Sequence, residues 1–270
     1  MKRLFVLILA ALPLVCGAQD APKVAFGGGE ELYYTVSYRA KLIPNISVMR
    51  INLRTVDEDV AGRPHYHIVG NGKTSNFVKG FFNINDTYHS WLDAATMKPT
   101  RMTSDIQEDD YRFKATYTYD WNTMTVNTVR RNAKWDADKY VTFPLTGESG
   151  DAMSLFFSMR QIDVSKLTQG ASYRLDLVLH ESTKPIFYRF MGREQIKVRK
   201  AGSFNALKFT CTMATSDDTT YEEGMEFTMW ISDDENKIPL MIDSPIRVGS
   251  VRVTLADGWK VMHPLTSLIK

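Results

Sequence analysis

Along most of this chain, apolar and polar residues alternate at every second position, the signature of strands with one face buried. Leu32, Tyr34, Val36 and Tyr38 alternate with Tyr33, Thr35, Ser37 and Arg39, and Met49, Ile51, Leu53 and Thr55 with Arg50, Asn52 and Arg54. The same rhythm predicts strands over 65–72, 87–92, 111–119 and 124–130, and 140–145 leads into the stretch that breaks it. It then predicts 173–179, 186–191, 194–199, 207–214, 226–232, 238–242 and 246–255. Asp120-Trp121-Asn122-Thr123 is the polar turn of a hairpin. The stretch 216–224 is acidic and reads as a flexible connection, and 77–93 starts irregularly. There Phe77, Phe81, Phe82 and Ile84 are expected to cover the mouth of a barrel or plug its core.

One stretch, 148–170, breaks the rhythm. Ala152, Leu155, Phe156 and Met159 recur at helical spacing, so a helix over about 150–162 should lay that stripe on a sheet. Ser149 or Asp151 can cap its start by accepting a hydrogen bond from a first-turn N–H. The expected fold is mainly β: a large curved antiparallel sheet or half-open barrel around one central helix. Its two lobes would be about 29–146 and 171–258, because sheets of more than ~10 strands tend to curl or split.

The first residues do not belong to that fold. Lys2 and Arg3, the apolar run 4–15 and the small residues before Gln19 read as a secretory signal peptide over 1–18, cleaved after about Ala18. Acylation at Cys16 is the competing reading, disfavoured by the branched Val15 before it. A single β-rich domain, 19–270, would remain. Cleavage removes two basic residues and no acidic one, so the formal net charge falls from +2 to zero. Nucleic acid, which demands a basic surface, is thereby disfavoured as a partner. No later apolar run approaches the ~20 residues of a transmembrane helix. Cys211 would be alone after cleavage, which excludes an intramolecular disulfide, and its strand setting suggests a buried, inert thiol.

The candidate chemistry is sparse. Ser149 stands in Gly147-Glu148-Ser149-Gly150-Asp151, but a nucleophile elbow needs glycine two residues to either side of the serine, and Gly150 comes too early. His65 and His67 share one face of a strand, where two imidazoles can begin a metal site. A third ligand is not apparent from the spacing of His89, His180 or His263. The acidic groups at 108–110, 217–218 and 233–235 lack the spacing and glycine of a calcium loop. Catalytic, metal-ligating and cofactor-binding residues are therefore not assigned, and no cofactor is expected. Tyr33, Tyr34, Tyr38, Tyr117, Tyr119, Tyr188, Phe190 and Trp230 all fall on expected strands. Most should be core, with some lining a cavity for an apolar ligand.

Several landmarks in order carry a resemblance: Gly29-Glu30-Glu31-Leu32-Tyr33-Tyr34, then Asp86-Thr87-Tyr88-His89-Ser90 with Asp93 and Pro99. Asp151-Ala152-Met153-Ser154-Leu155 with Arg160, Trp230-Ile231-Ser232-Asp233-Asp234, Ile238-Pro239 and the run 249–255 complete it. Across about 29–255 the chain resembles an exported bacterial family known only as domain of unknown function three-one-zero-eight. The resemblance implies a Gram-negative exported β-protein, and it transfers no catalytic or binding residue. A looser analogy of fold links the expected half-barrel to periplasmic lipoprotein carriers, which hold acyl chains. The leading expectation is a non-enzymatic periplasmic or envelope protein binding a lipid or acyl chain. The alternative is a structural or assembly protein that binds another envelope protein through a sheet edge or aromatic patch. An uncharacterised hydrolase ranks third.

Overall fold

The structure is a computed structural model and describes residues 24–40, 43–213, 225–246 and 249–269. The expected signal peptide and the acidic connection 216–224 lie outside the described residues.

The first half of the chain is a meander of β1 (Glu31–Ala40), β2 (Ile43–Val60), β3 (Arg63–Thr74), β4 (Asn85–Asp93), β5 (Pro99–Glu108), β6 (Tyr111–Asp120), β7 (Thr125–Asn132) and β8 (Lys139–Pro144). A short β9 (Ser149–Gly150) leads into helix α1 (Ala152–Met159) and a single 3-10 turn over Val164–Lys166. The second half is β10 (Ser172–Leu179), β11 (Ser182–Val198), β12 (Gly202–Met213), β13 (Met225–Ser232), β14 (Pro239–Pro245), β15 (Ser250–Leu255) and β16 (Leu268–Ile269). All sixteen strands join one sheet, in the order β8 back to β1, then β15 back to β9, with β16 on β12. Strand β1 therefore sits at the middle and joins the two halves, pairing Tyr34 with both Ile51 and Leu255.

The two ends of this sheet, β8 and β9, are consecutive in the chain but do not pair. Side chains bridge the seam between them. Arg130 of β7 forms an ion pair with Glu181 in the β10–β11 turn, and the Tyr117 hydroxyl donates to the His180 carbonyl at 3.4 Å. Val178 completes an apolar cluster with Phe113, Tyr117 and Phe143. The result is a curved sheet closed by side chains where a barrel would be closed by backbone bonds.

The alternation places the faces as expected on β1, where Leu32, Tyr34 and Val36 are buried. On β6 and β7 the outward positions Lys114, Thr118, Asn127 and Arg131 are exposed and polar. Three features depart from the sequence pattern. Strand β5 lies outside the expected strands, because only Met102 and Ile106 mark its inner face among polar neighbours. The expected strands 186–191 and 194–199 are one continuous β11, kinked by a bulge beside Gly192, whose φ of 116° suits glycine. Strand β2 likewise extends well beyond the alternation at 49–55, from Ile43 to Val60.

Helix α1 sits inside the curve, with several of its sides buried. Leu155 and Met159 are buried as expected, but Ala152 is exposed and Phe156 only half-buried. Phe157, off the expected stripe, is the most buried apolar side chain of the helix. A helix wrapped by a sheet meets neighbours on more than one side, so a single stripe understates what it buries. Phe157 joins Phe26, Ile68 and Leu92, while Met159 joins Tyr188, Leu207 and Phe209. Asp151 is the cap: its Oδ1 accepts from the Met153 and Ser154 amides at 3.0 Å, and its Oδ2 from the Ser90 hydroxyl of β4 at 2.8 Å.

Candidate ligand-binding site

Between α1 and the inner face of the sheet lies an apolar cavity of about 510 Å3, within the roughly 300–1,000 Å3 of small-molecule sites. Cross-strand register builds its wall. Tyr34, Ile51, Gly72 and Asp86 stand opposite one another across β1 to β4, and Met102, Ser104 and Ile106 continue it on β5. Gly70 and Gly72 contribute no side chain there; a Cβ on Gly70 would come within 3.2 Å of Leu53 and Met153. The helix contributes Ala152, Met153 and Phe156, and the seam contributes Leu177, Val178 and His180. None of the lining residues is a lysine or an arginine.

One patch of this wall is polar. Asp86 is buried, accepts the Gln107 amide at 2.9 Å and has its pKa raised, first by burial and then by the charge of Asp105. Burial and the Asp86 charge also raise Glu108. Tyr88, beside both carboxyl groups, is pushed up to about 12, chiefly by burial. Of the aromatic residues anticipated as core or cavity wall, Tyr34 and Tyr117 line the cavity. Tyr119, Tyr188 and Phe190 are buried in the core. Tyr33 faces an outer cleft, and Trp230 donates to Glu194.

The other sequence candidates are taken up structurally. The buried Ser149 side chain accepts the Thr146 amide at 2.9 Å. His65 is buried against the Arg63 carbonyl at 2.8 Å, so it does not act with His67. His67 instead stands between Glu58, at 2.8 Å from its Nδ1, and His89, whose Nδ1 lies 2.9 Å from its Nε2. Trp91 stacks on the His67 ring, with centroids 4.2 Å apart. His263 contacts the Val24 carbonyl at 2.9 Å. Among the described residues no three His, Cys, Asp or Glu side chains are grouped so as to hold a metal ion. Asp234 of the acidic run 233–235 organises a turn, accepting from Ser232, Asn236 and Ser267. No described helix is long and apolar enough to cross a membrane.

Phe77 and Phe81 overturn an expectation. They neither plug the core nor cover the cavity, being 79% and 86% exposed.

The geometry defines a class: a barrel-like antiparallel sheet, open at one seam, wrapped around a helix with an apolar cavity beside it. The chain belongs to the family described as protein of unknown function DUF3108, whose model matches residues 33–256. A similar fold occurs in the crystal structure of a beta-barrel-like protein of domain of unknown function DUF1849 from Brucella abortus. That likeness has a TM-score of 0.56 at 12% identity and covers 88% of this chain and 100% of the other. No curated protein matches the chain.

Proposed function

We propose that this is an exported cell-envelope protein that binds an apolar ligand, the acyl chain of a lipid, without catalysing a reaction. The observation that carries the reading is the 510 Å3 cavity, walled by Met49, Ile51, Leu53, Met102, Phe156 and Met241. Burying such a chain releases it from water, at roughly 25 cal/mol per Å2 of apolar surface. The wall also says something about the head group. With no lysine or arginine and with Asp86 in the polar patch, a free fatty acid's carboxylate would find no cation. A neutral or ester-linked chain fits better.

Mass spectrometry of an organic extract of protein purified from a native-like envelope tests the proposal. A stoichiometric acyl species is expected. Replacing the exposed helix residue Ala152 by Trp, which fills cavity space, should abolish both that species and uptake of the neutral fluorophore N-phenyl-naphthylamine. A clean extract together with no fluorophore uptake by the folded protein would sink the idea.

Asp86, buried on the cavity wall with its pKa raised by that burial, favours a second reading, hydrolysis of an acyl ester, since a perturbed carboxyl group in a cleft marks a functional site. Turnover of acyl nitrophenyl esters that is lost in Asp86→Asn would support it. Absence of turnover in the wild type leaves a binding protein.

A further inference from the structure

The segment between β3 and β4 is a built structure that holds two phenylalanines in solvent. The Ser75 amide bonds to the Val48 carbonyl at 2.9 Å, and the Val78 amide to the Ser75 carbonyl at 3.0 Å. The Phe81 amide closes on the Val78 carbonyl at 2.9 Å. Asn83 and Asp109 then tie the loop to the β5–β6 turn, each backbone amide bonded to the other residue. Val78 is turned inward and Phe82 is half-buried, while Phe77 and Phe81 face water. Two large rings held out by a hydrogen-bonded loop are costly unless something covers them.

The surface beside the loop is cationic. On the outer face of the sheet, Arg50, Lys73 and Asn85 stand in one cross-strand row and Asn52, Asn71 and Thr87 in the next. With Lys79 and Asn76 of the loop they line a cleft of about 910 Å3 that has no carboxylate among its lining residues. The strands that carry the loop reach the apolar cavity, since Gly72 and Asp86, close to either end of it in the chain, line that cavity.

We infer that this loop and the cleft beside it dock on an anionic phospholipid surface, with Phe77 and Phe81 entering the headgroup–acyl boundary and Arg50, Lys73 and Lys79 meeting lipid phosphates. A membrane suits these dimensions better than a protein partner. Two phenylalanines bury about 150–250 Å2 each, short of the roughly 800 Å2 per partner of a stable protein interface. A few apolar side chains with adjacent cations suffice at an interface of anionic lipid. The inference rests on the lipid-binding reading, to which it adds the site of loading, yet its evidence is a different part of the molecule.

Co-sedimentation of the purified protein with vesicles of phosphatidylcholine, with and without phosphatidylglycerol, tests it. The wild type should pellet with the anionic vesicles. The exposed pair F77S/F81S should lower the partition coefficient about tenfold or more. K73E/K79E should lower it about fivefold or more, and only on anionic vesicles. Unchanged thermal unfolding would show that both variants remain folded. Wild type left in the supernatant, or F77S/F81S binding as well as wild type, overturns the docking surface. N-phenyl-naphthylamine uptake, measured without vesicles, separates the two claims. Uptake without vesicle binding removes the docking and keeps the ligand. Phenylalanine-dependent vesicle binding without uptake does the reverse.

Discussion

Arg160 and Glu30 form a fully buried, two-pronged ion pair, with Nη1–Oε1 at 2.5 Å and Nη2–Oε2 at 2.7 Å. The guanidinium also donates to the Asn236 and Ala25 carbonyls, and it lies over the rings of Phe26 and Phe157. One side chain thus fastens the end of α1 to the segment before β1 and to the β13–β14 turn. Removing one member strands the other charge in a dry site, so Arg160→Met should cost about 3–5 kcal/mol in urea unfolding. The double variant R160M/E30L should recover much of that loss. Additive losses would show that the pair is not coupled.

The Asp151 cap works across two elements, since it holds both α1 amides and the Ser90 hydroxyl of β4. Asp151→Ala should lower stability by about 1–2 kcal/mol. Ser90→Ala should lower it less, because the two capping bonds remain. Equal losses would mean that capping is the lesser part of Asp151's role.

His67 and His89 give the protein an acid-sensitive patch. Burial is the main cause that lowers both pKa values; the Glu58 charge opposes it at both, and Arg54 adds to it. A histidine harder to protonate when folded contributes stability above its unfolded pKa of roughly 6.5 and loses it as pH falls below that value. Unfolding free energy should therefore decline on mild acidification. The variant H67F/H89Q, which keeps a ring beside Trp91, should show a flatter dependence over the same window. An unchanged slope would assign the acid sensitivity elsewhere.

Cys211 is buried among Phe209, Met229 and Tyr188, and burial pushes its thiol up to about 12. Iodoacetamide at mildly alkaline pH should leave it unmodified in the folded protein and alkylate it fully in denaturant. Rapid labelling of the native protein would contradict the buried setting.

Local patterning was enough for the β character, most strand positions, the central helix, a cap at Ser149 or Asp151, and the family. Each depends on local periodicity or on short ordered landmarks. Met102 and Ile106 did alternate with Arg101, Thr103 and Asp105 on β5, but two apolar residues among polar ones are too weak a pattern to separate strand from turn. The rest depends on which strands become neighbours in the folded chain. Register set His67 opposite Trp91 and within hydrogen-bond reach of His89, which stands opposite Val69, and it set Gly70 and Gly72 beside Tyr88 and Asp86 on a cavity wall. Arg160 met Glu30 across 130 residues. Curvature turned Phe157 inward, while the hydrogen-bonded loop after β3 turned Phe77 and Phe81 outward. Whether an apolar side chain faces core, cavity or solvent follows from what lies opposite it, and alternation along one strand carries no record of that.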